Sequence, residues 1–180
     1  EIMEMTIGRD RWQEHLKSRG AFYHELAAGL EKLDAAQPNV GAKTAALAHR
    51  AFAEMMEIAR AHRLTRNQHV LFRLGEIAAT VECAGAMARR AAAAERGELP
   101  DKADTRFTPP QLATVSRVFA REAAAKASYD GLRWVMGATE PGAVDAGALE
   151  HAMALREIEQ AQSGLIADMD AVADALYGRD

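Results

Sequence analysis

Residues 63–94, RLTRNQHVLFRLGEIAATVECAGAMARRAAAA, decide the fold. Leu71, Leu74, Ala78, Val81, Gly85 and Ala88 recur at three- and four-residue steps. That period stacks side chains along one side of an α-helix. Glu76, Glu82, Arg89 and Arg90 fall on or beside the flanks. Gly75, Ala79, Ala84 and Gly85 keep the cylinder thin, so neighbouring helices can approach closely. Such a helix is built to be covered by others.

Working outward, the same period appears on both sides. Before it, a third helix spans about residues 40–62, with Ala48, Ala51, Phe52, Met55, Ile58, Ala59 and His62 on its apolar stripe. Thr65 is the expected N-cap of the long fourth helix, because a threonine hydroxyl accepts an orphan N–H of the first turn. Gly97 stands where a left-handed C-cap belongs. Two further helices are expected at about residues 2–17 and 21–36, the second with Phe22, Leu26, Leu30 and Leu33 on one face. Gly20 bends or ends the first, and Gln37-Pro38-Asn39 breaks the second.

After the fourth helix, residues 98–107 (ELPDKADTRF) read as a polar, mobile connection. Thr108-Pro109-Pro110 is a start signal, a capping threonine followed by proline in the first turn. A fifth helix then carries Leu112, Val115, Val118, Phe119, Tyr129, Leu132 and Met136. After the turn at residues 139–142, a single sixth helix is expected over about 145–176, with Leu149, Leu155, Ile158, Ile166, Met169, Val172 and Leu176 as its seam. Short connections make sequential helices antiparallel, so the third to sixth are expected to form an all-α, up-and-down four-helix bundle. The first two would pack at one end or belong to a preceding domain.

Composition agrees and excludes several function classes. Of 180 residues, 49% are apolar but only 6% aromatic, and the abundant alanine favours helix over sheet. The net charge of -4 is interspersed, without the basic face of a nucleic-acid binder. No run of apolar residues is long enough for a membrane-spanning helix. None of His15, His24, His49, His62, His69 and His151 follows a glutamate by three residues, and no two are four apart. A dinuclear carboxylate centre is therefore not expected.

Individual residues read more simply as structure than as chemistry. The lone Cys83 reads as a small buried apolar residue rather than a nucleophile. Glu82 and Asp130 sit among apolar neighbours, and each is expected to pair with an arginine such as Arg117, Arg121 or Arg133. Trp12, Phe22 and Tyr23 are a candidate anchor set for an interface, Trp134 a core or bundle-end residue. The eight methionines read as core filler rather than an acyl groove. No glycine-rich phosphate loop and no Ser-His-Asp arrangement is legible.

Two segments carry a family resemblance. EIMEMTIGR at residues 1–9 resembles the segment that closes the catalytic core of acyl-CoA dehydrogenases, where a Tyr-Glu-Gly-Thr-type motif is followed by an acidic residue or Gln, then Ile. The third and fourth helices are similar to the extra C-terminal domain of the very-long-chain members, with Gln68, Phe72, Arg73, Leu74, Ala79 and Arg89 in matching places. The resemblance implies a parent enzyme that introduces an α,β double bond into acyl-CoA, a glutamate taking the α-proton and FAD the β-hydride. That glutamate and most of the FAD site would lie upstream; within this chain only Glu1 matches a flavin contact.

The implied organisation is residues 1–20 as the end of the last helix of the catalytic domain, 21–39 as a connecting helix and 40–180 as the C-terminal bundle. The resemblance further implies the upstream dehydrogenase domains as covalent partners, an electron-transfer flavoprotein as redox partner, and a homodimer. We expect a cytoplasmic location and no strong membrane attachment, because the mixed charges of residues 12–37 give no net positive surface. The alternative reading is a stand-alone helical module binding an acyl chain or a partner protein. A helical ligand-sensing domain of a transcription regulator is disfavoured, since no helix-turn-helix signal is present.

Overall fold

The computed structural model describes residues 2–179 and is all-α, with no strand among the described residues. The helices are α1 (Ile2–Lys17), α2 (Ala21–Ala36), α3 (Ala42–Ala61), α4 (Gln68–Glu95), α5 (Pro109–Ala125), α6 (Gly131–Gly137), α7 (Ala146–Ala152), α8 (Leu155–Ala161) and α9 (Leu165–Tyr177). A 3-10 turn, Leu64–Arg66, precedes α4, and a π-helical turn, Lys126–Asp130, joins α5 to α6.

The ends of α4 follow capping chemistry. Its N-cap is Asn67, not Thr65: the Asn67 Oδ1 accepts from the His69 N–H at 3.0 Å. Thr65 is instead consumed in the 3-10 turn, which shifts the first α-helical residue to Gln68. At the other end Gly97 has φ 70. Its N–H bonds the Ala94 carbonyl at 3.0 Å, and the Glu98 N–H bonds the Ala93 carbonyl at 2.9 Å. This is the paired closure of a Schellman motif. At the start of α5 the Gln111 Oε1 accepts from the Thr108 N–H at 2.9 Å, the return half of a capping box.

The core is centred on α3, α4 and α5, which contact one another, with α2 against α3, α1 against α4 and α9 against α5. Directions alternate. The pairs His24–Glu54 and Glu31–Arg50 set α2 antiparallel to α3. Glu76 near the start of α4 meets Lys126 just beyond α5, while Arg90 near the end of α4 reaches the Asp104 carbonyl just before α5. Phe52, Met55 and Met56 of α3 and Ile77, Ala78 and Val81 of α4 are buried at the centre. Burial of the larger of these side chains contributes about 1.5–3 kcal/mol each.

The first two helices run along α4 and α3 rather than packing at one end. Where α1 crosses α4, two glycines meet. A Cβ on Gly8 would lie 2.6 Å from the Leu71 carbonyl oxygen. One on Gly75 would run into the Glu4 carbonyl and lie 2.9 Å from the Gly8 nitrogen. The backbones touch because neither position carries a side chain.

The expected single sixth helix is three helices. The chain breaks at Ala154 and Gly164, both in the left-handed region with φ 53 and φ 81. Phase explains the first break. Leu149 and Ile158 are nine residues apart, about half a turn out of register on a straight helix. Both are nevertheless buried, and only a turn between them brings both inward. The connection at residues 98–107 is also tied down, since Leu99 and Phe107 pack against the core.

Candidate functional site

A cleft of about 530 Å³ lies between α1, α2 and α4, with Ile7, Phe22, Leu26 and Ala79 as apolar walls and His49 of α3 among its lining. The helix periods place these groups together. Glu82 is one step beyond the buried Val81 on α4, so it reaches the edge where α1 and α2 converge. There the Arg11 Nε and Nη2 donate to its two carboxylate oxygens at 2.5 and 2.8 Å. The Tyr23 hydroxyl, from α2, donates to Oε1 at 2.8 Å. Tyr23 is fully buried and packs edge-to-face on Phe52 at 4.7 Å. Burial first, and then the Glu82 charge, push its phenol far above the ordinary tyrosine range.

His49 is also fully buried. Its Nδ1–H donates to the Ala45 carbonyl at 2.7 Å, one turn back on α3. That bond makes Nε2 the unprotonated acceptor, and Nε2 has no partner. Burial, with the Arg89 charge adding to it, holds the ring below the ordinary histidine range and hence neutral. The ring tip and Arg89 share the space over Gly85. A Cβ there would lie 3.2 Å from His49 Nε2 and 3.4 Å from Arg89 Nη2. Arg89 makes no ion pair or hydrogen bond with any described residue.

Sequence-predicted residues fall differently from expectation in three places. Cys83 is exposed on the cleft wall rather than buried, because it lies off the α4 core stripe. Glu82 does pair with an arginine of an adjacent helix, but it is Arg11 of α1, whereas Asp130 pairs with Lys126, 2.9 Å away on its own helical turn. The arginines expected for them are used elsewhere: Arg117 and Arg121 both bind Asp168 of α9, at 2.5 Å each. Trp12, Phe22 and Tyr23 do not form one exposed set. Trp12 stacks on the buried His15 at 5.7 Å, while Tyr23 is core. Trp134 sits half-buried, edge-to-face with His69 at 4.6 Å, which fits its reading as a bundle-end residue.

The sequence did not single out His49 or Tyr23 as members of one site. The available signal was a histidine in phase with the apolar positions Phe52 and Met56 of α3. Among the described residues no group of three or more His, Cys, Asp and Glu is placed to hold a metal ion. Glu1, the flavin contact implied by the resemblance, lies outside the described residues. No helix of the described residues is long and apolar enough to cross a membrane. No family model matches the chain, and no curated protein or solved structure matches it either.

Proposed function

We propose that the chain is a non-catalytic helical domain of an FAD-dependent acyl-CoA dehydrogenase of the long-chain type, serving packing and assembly of the parent enzyme. The reading rests on the resemblance of residues 1–9 and of the third and fourth helices. The observation that carries it physically is α9. Ten of its 13 residues are apolar, yet none is buried. Ile166, Leu176 and Tyr177 are 68%, 57% and 74% exposed, and Ile2 and Met3 at the start of α1 are similarly open. Large apolar side chains left in water favour association with further protein surface.

In this reading the general base, the acyl-CoA pocket and the isoalloxazine belong to upstream domains of the same polypeptide. An electron-transfer flavoprotein would reoxidise the flavin, and dimerisation would involve the parent enzyme. The test is the reading frame upstream of Glu1 together with the chain's own chemistry. A Tyr-Glu-Gly-Thr motif encoded just before Glu1, and a purified chain that neither retains flavin nor dehydrogenates acyl-CoA, are the expected results. An initiator methionine close to Glu1 would reject the reading. It would favour the second one, a stand-alone binding module, for which the cleft beside His49 is the specific support.

A further inference from the structure

The cleft has a property that packing alone does not explain: its two unused hydrogen-bonding groups stand side by side. Glu82 is already held by Arg11 and Tyr23. His49 Nε2 and the Arg89 guanidinium are not, and they meet over the one position in this part of α4 that has no side chain. A buried acceptor left without a partner costs about 1–3 kcal/mol. A guanidinium is built to hold an anion through paired N–H donors. Around them the walls are apolar: Ile7, Phe22, Leu26 and Ala79.

We propose that this cleft is a binding site for a small amphipathic anion, its apolar ring-sized body on Phe22 and Leu26, its acid group on Arg89, and an N–H or O–H donor on His49 Nε2. The volume of about 530 Å³ suits a molecule of that size. The order of events follows from the geometry. Nε2 is buried at rest, in the space beside Gly85 that it shares with Arg89. An anion at the cleft mouth draws the exposed Arg89 side chain outward, which opens Nε2 to the ligand's donor. A neutral imidazole accepts that hydrogen bond; a protonated one has no lone pair to offer. A simple apolar molecule without an acid group leaves Arg89 in place and gains only the walls. The site does not depend on the dehydrogenase reading.

Anilinonaphthalene sulfonate is a suitable probe, because it joins an aromatic body, a sulfonate and one N–H donor. Cys83, the chain's sole cysteine, lies on the same wall and reports occupancy directly. The experiment titrates the probe into the native chain while following its fluorescence and the rate of Cys83 modification by a thiol reagent. We expect saturable one-to-one binding, and slowing of Cys83 modification in proportion to occupancy. Arg89→Ala should weaken binding by about tenfold, the loss of one charge-assisted contact. Arg156→Ala, an exposed arginine on α8, should leave binding unchanged. Both variants change exposed side chains, so helicity by circular dichroism should match the native chain. Binding that leaves Cys83 modification untouched, or that responds equally to the two arginine substitutions, overturns the proposal. So does an absence of saturable binding.

Discussion

The Tyr23 hydroxyl, at the end of a fully buried ring, donates to Glu82 Oε1 at 2.8 Å, and so ties α2 to α4 through a carboxylate that α1 also holds. Three helices converge on one side chain. Tyr23→Phe removes the phenolic donor but leaves Arg11 on Glu82. A hydrogen bond to a charged group contributes about 1.5–3 kcal/mol. Glu82 keeps its arginine and some water, so the low end of that range is expected. Urea unfolding should show the midpoint falling with an unchanged slope; an unmoved midpoint would mean that the ring alone holds α2.

The glycine crossing gives a contrast between two alanine substitutions. Gly75→Ala drives a methyl into the backbone of α1, which cannot rotate away, so α1 must lift from α4. We expect a loss of about 1–3 kcal/mol, as for other overpacked sites. Gly29→Ala, on the exposed face of α2 with nothing within 4 Å of the added carbon, should stabilise by about 0.5–1 kcal/mol. Thermal melts of the two variants should therefore move in opposite directions.

Much of this was legible in the sequence because helix period and cap chemistry are local. The limits of α1 and α2, the Gly97 C-cap and the Thr108 start were readable from a few neighbouring residues. The break at Ala154 was not, because alanine carries no turn signal. What enforces that turn is the burial of both Leu149 and Ile158, a tertiary demand. Which arginine meets Glu82, and that Asp168 takes two, were illegible for the same reason. Each partner lies on a different helix, and sequence spacing gives no crossing geometry. Thr65 and Asn67 are both good capping residues, and only the intervening 3-10 turn makes Asn67 the cap.

Stability should fall between pH 7 and pH 5. Burial lowers the native pKa values of both His15 and His49. The unfolded chain therefore takes up protons near the ordinary histidine value, about 6.5, before the native chain does. For groups depressed in this way, the stabilisation is full above the unfolded pKa and is lost as pH falls towards the native one. Each contributes at most about 1.4 kcal/mol per pH unit inside that window. Glu57 near His15 Nε2 opposes the effect there, so His49 should dominate. Melting temperatures recorded across this range should decline for the native chain and flatten in a folded His49→Gln variant. A flat native profile would show that burial does not lower the native pKa values of these histidines.

Asp168 fastens α9. Arg117 and Arg121 hold its carboxylate below the ordinary range, and Arg121 also donates to the Ala161 and Ser163 carbonyls that end α8. Since α9 buries no residue fully, this clamp is a large part of its attachment. Asp168→Asn should raise amide exchange throughout α9 while leaving α3 and α4 protected. Unchanged exchange in α9 would assign its docking to Val172 and Met169 instead.

On the function we propose, the chain is a helical packing domain, and the redox chemistry of its parent enzyme would be carried by other domains. The most direct measurement is the flavin absorbance of the chain purified by itself under native conditions, read beside its far-ultraviolet circular dichroism. A colourless, strongly helical protein is the predicted result. Stoichiometric flavin retained through purification would contradict it.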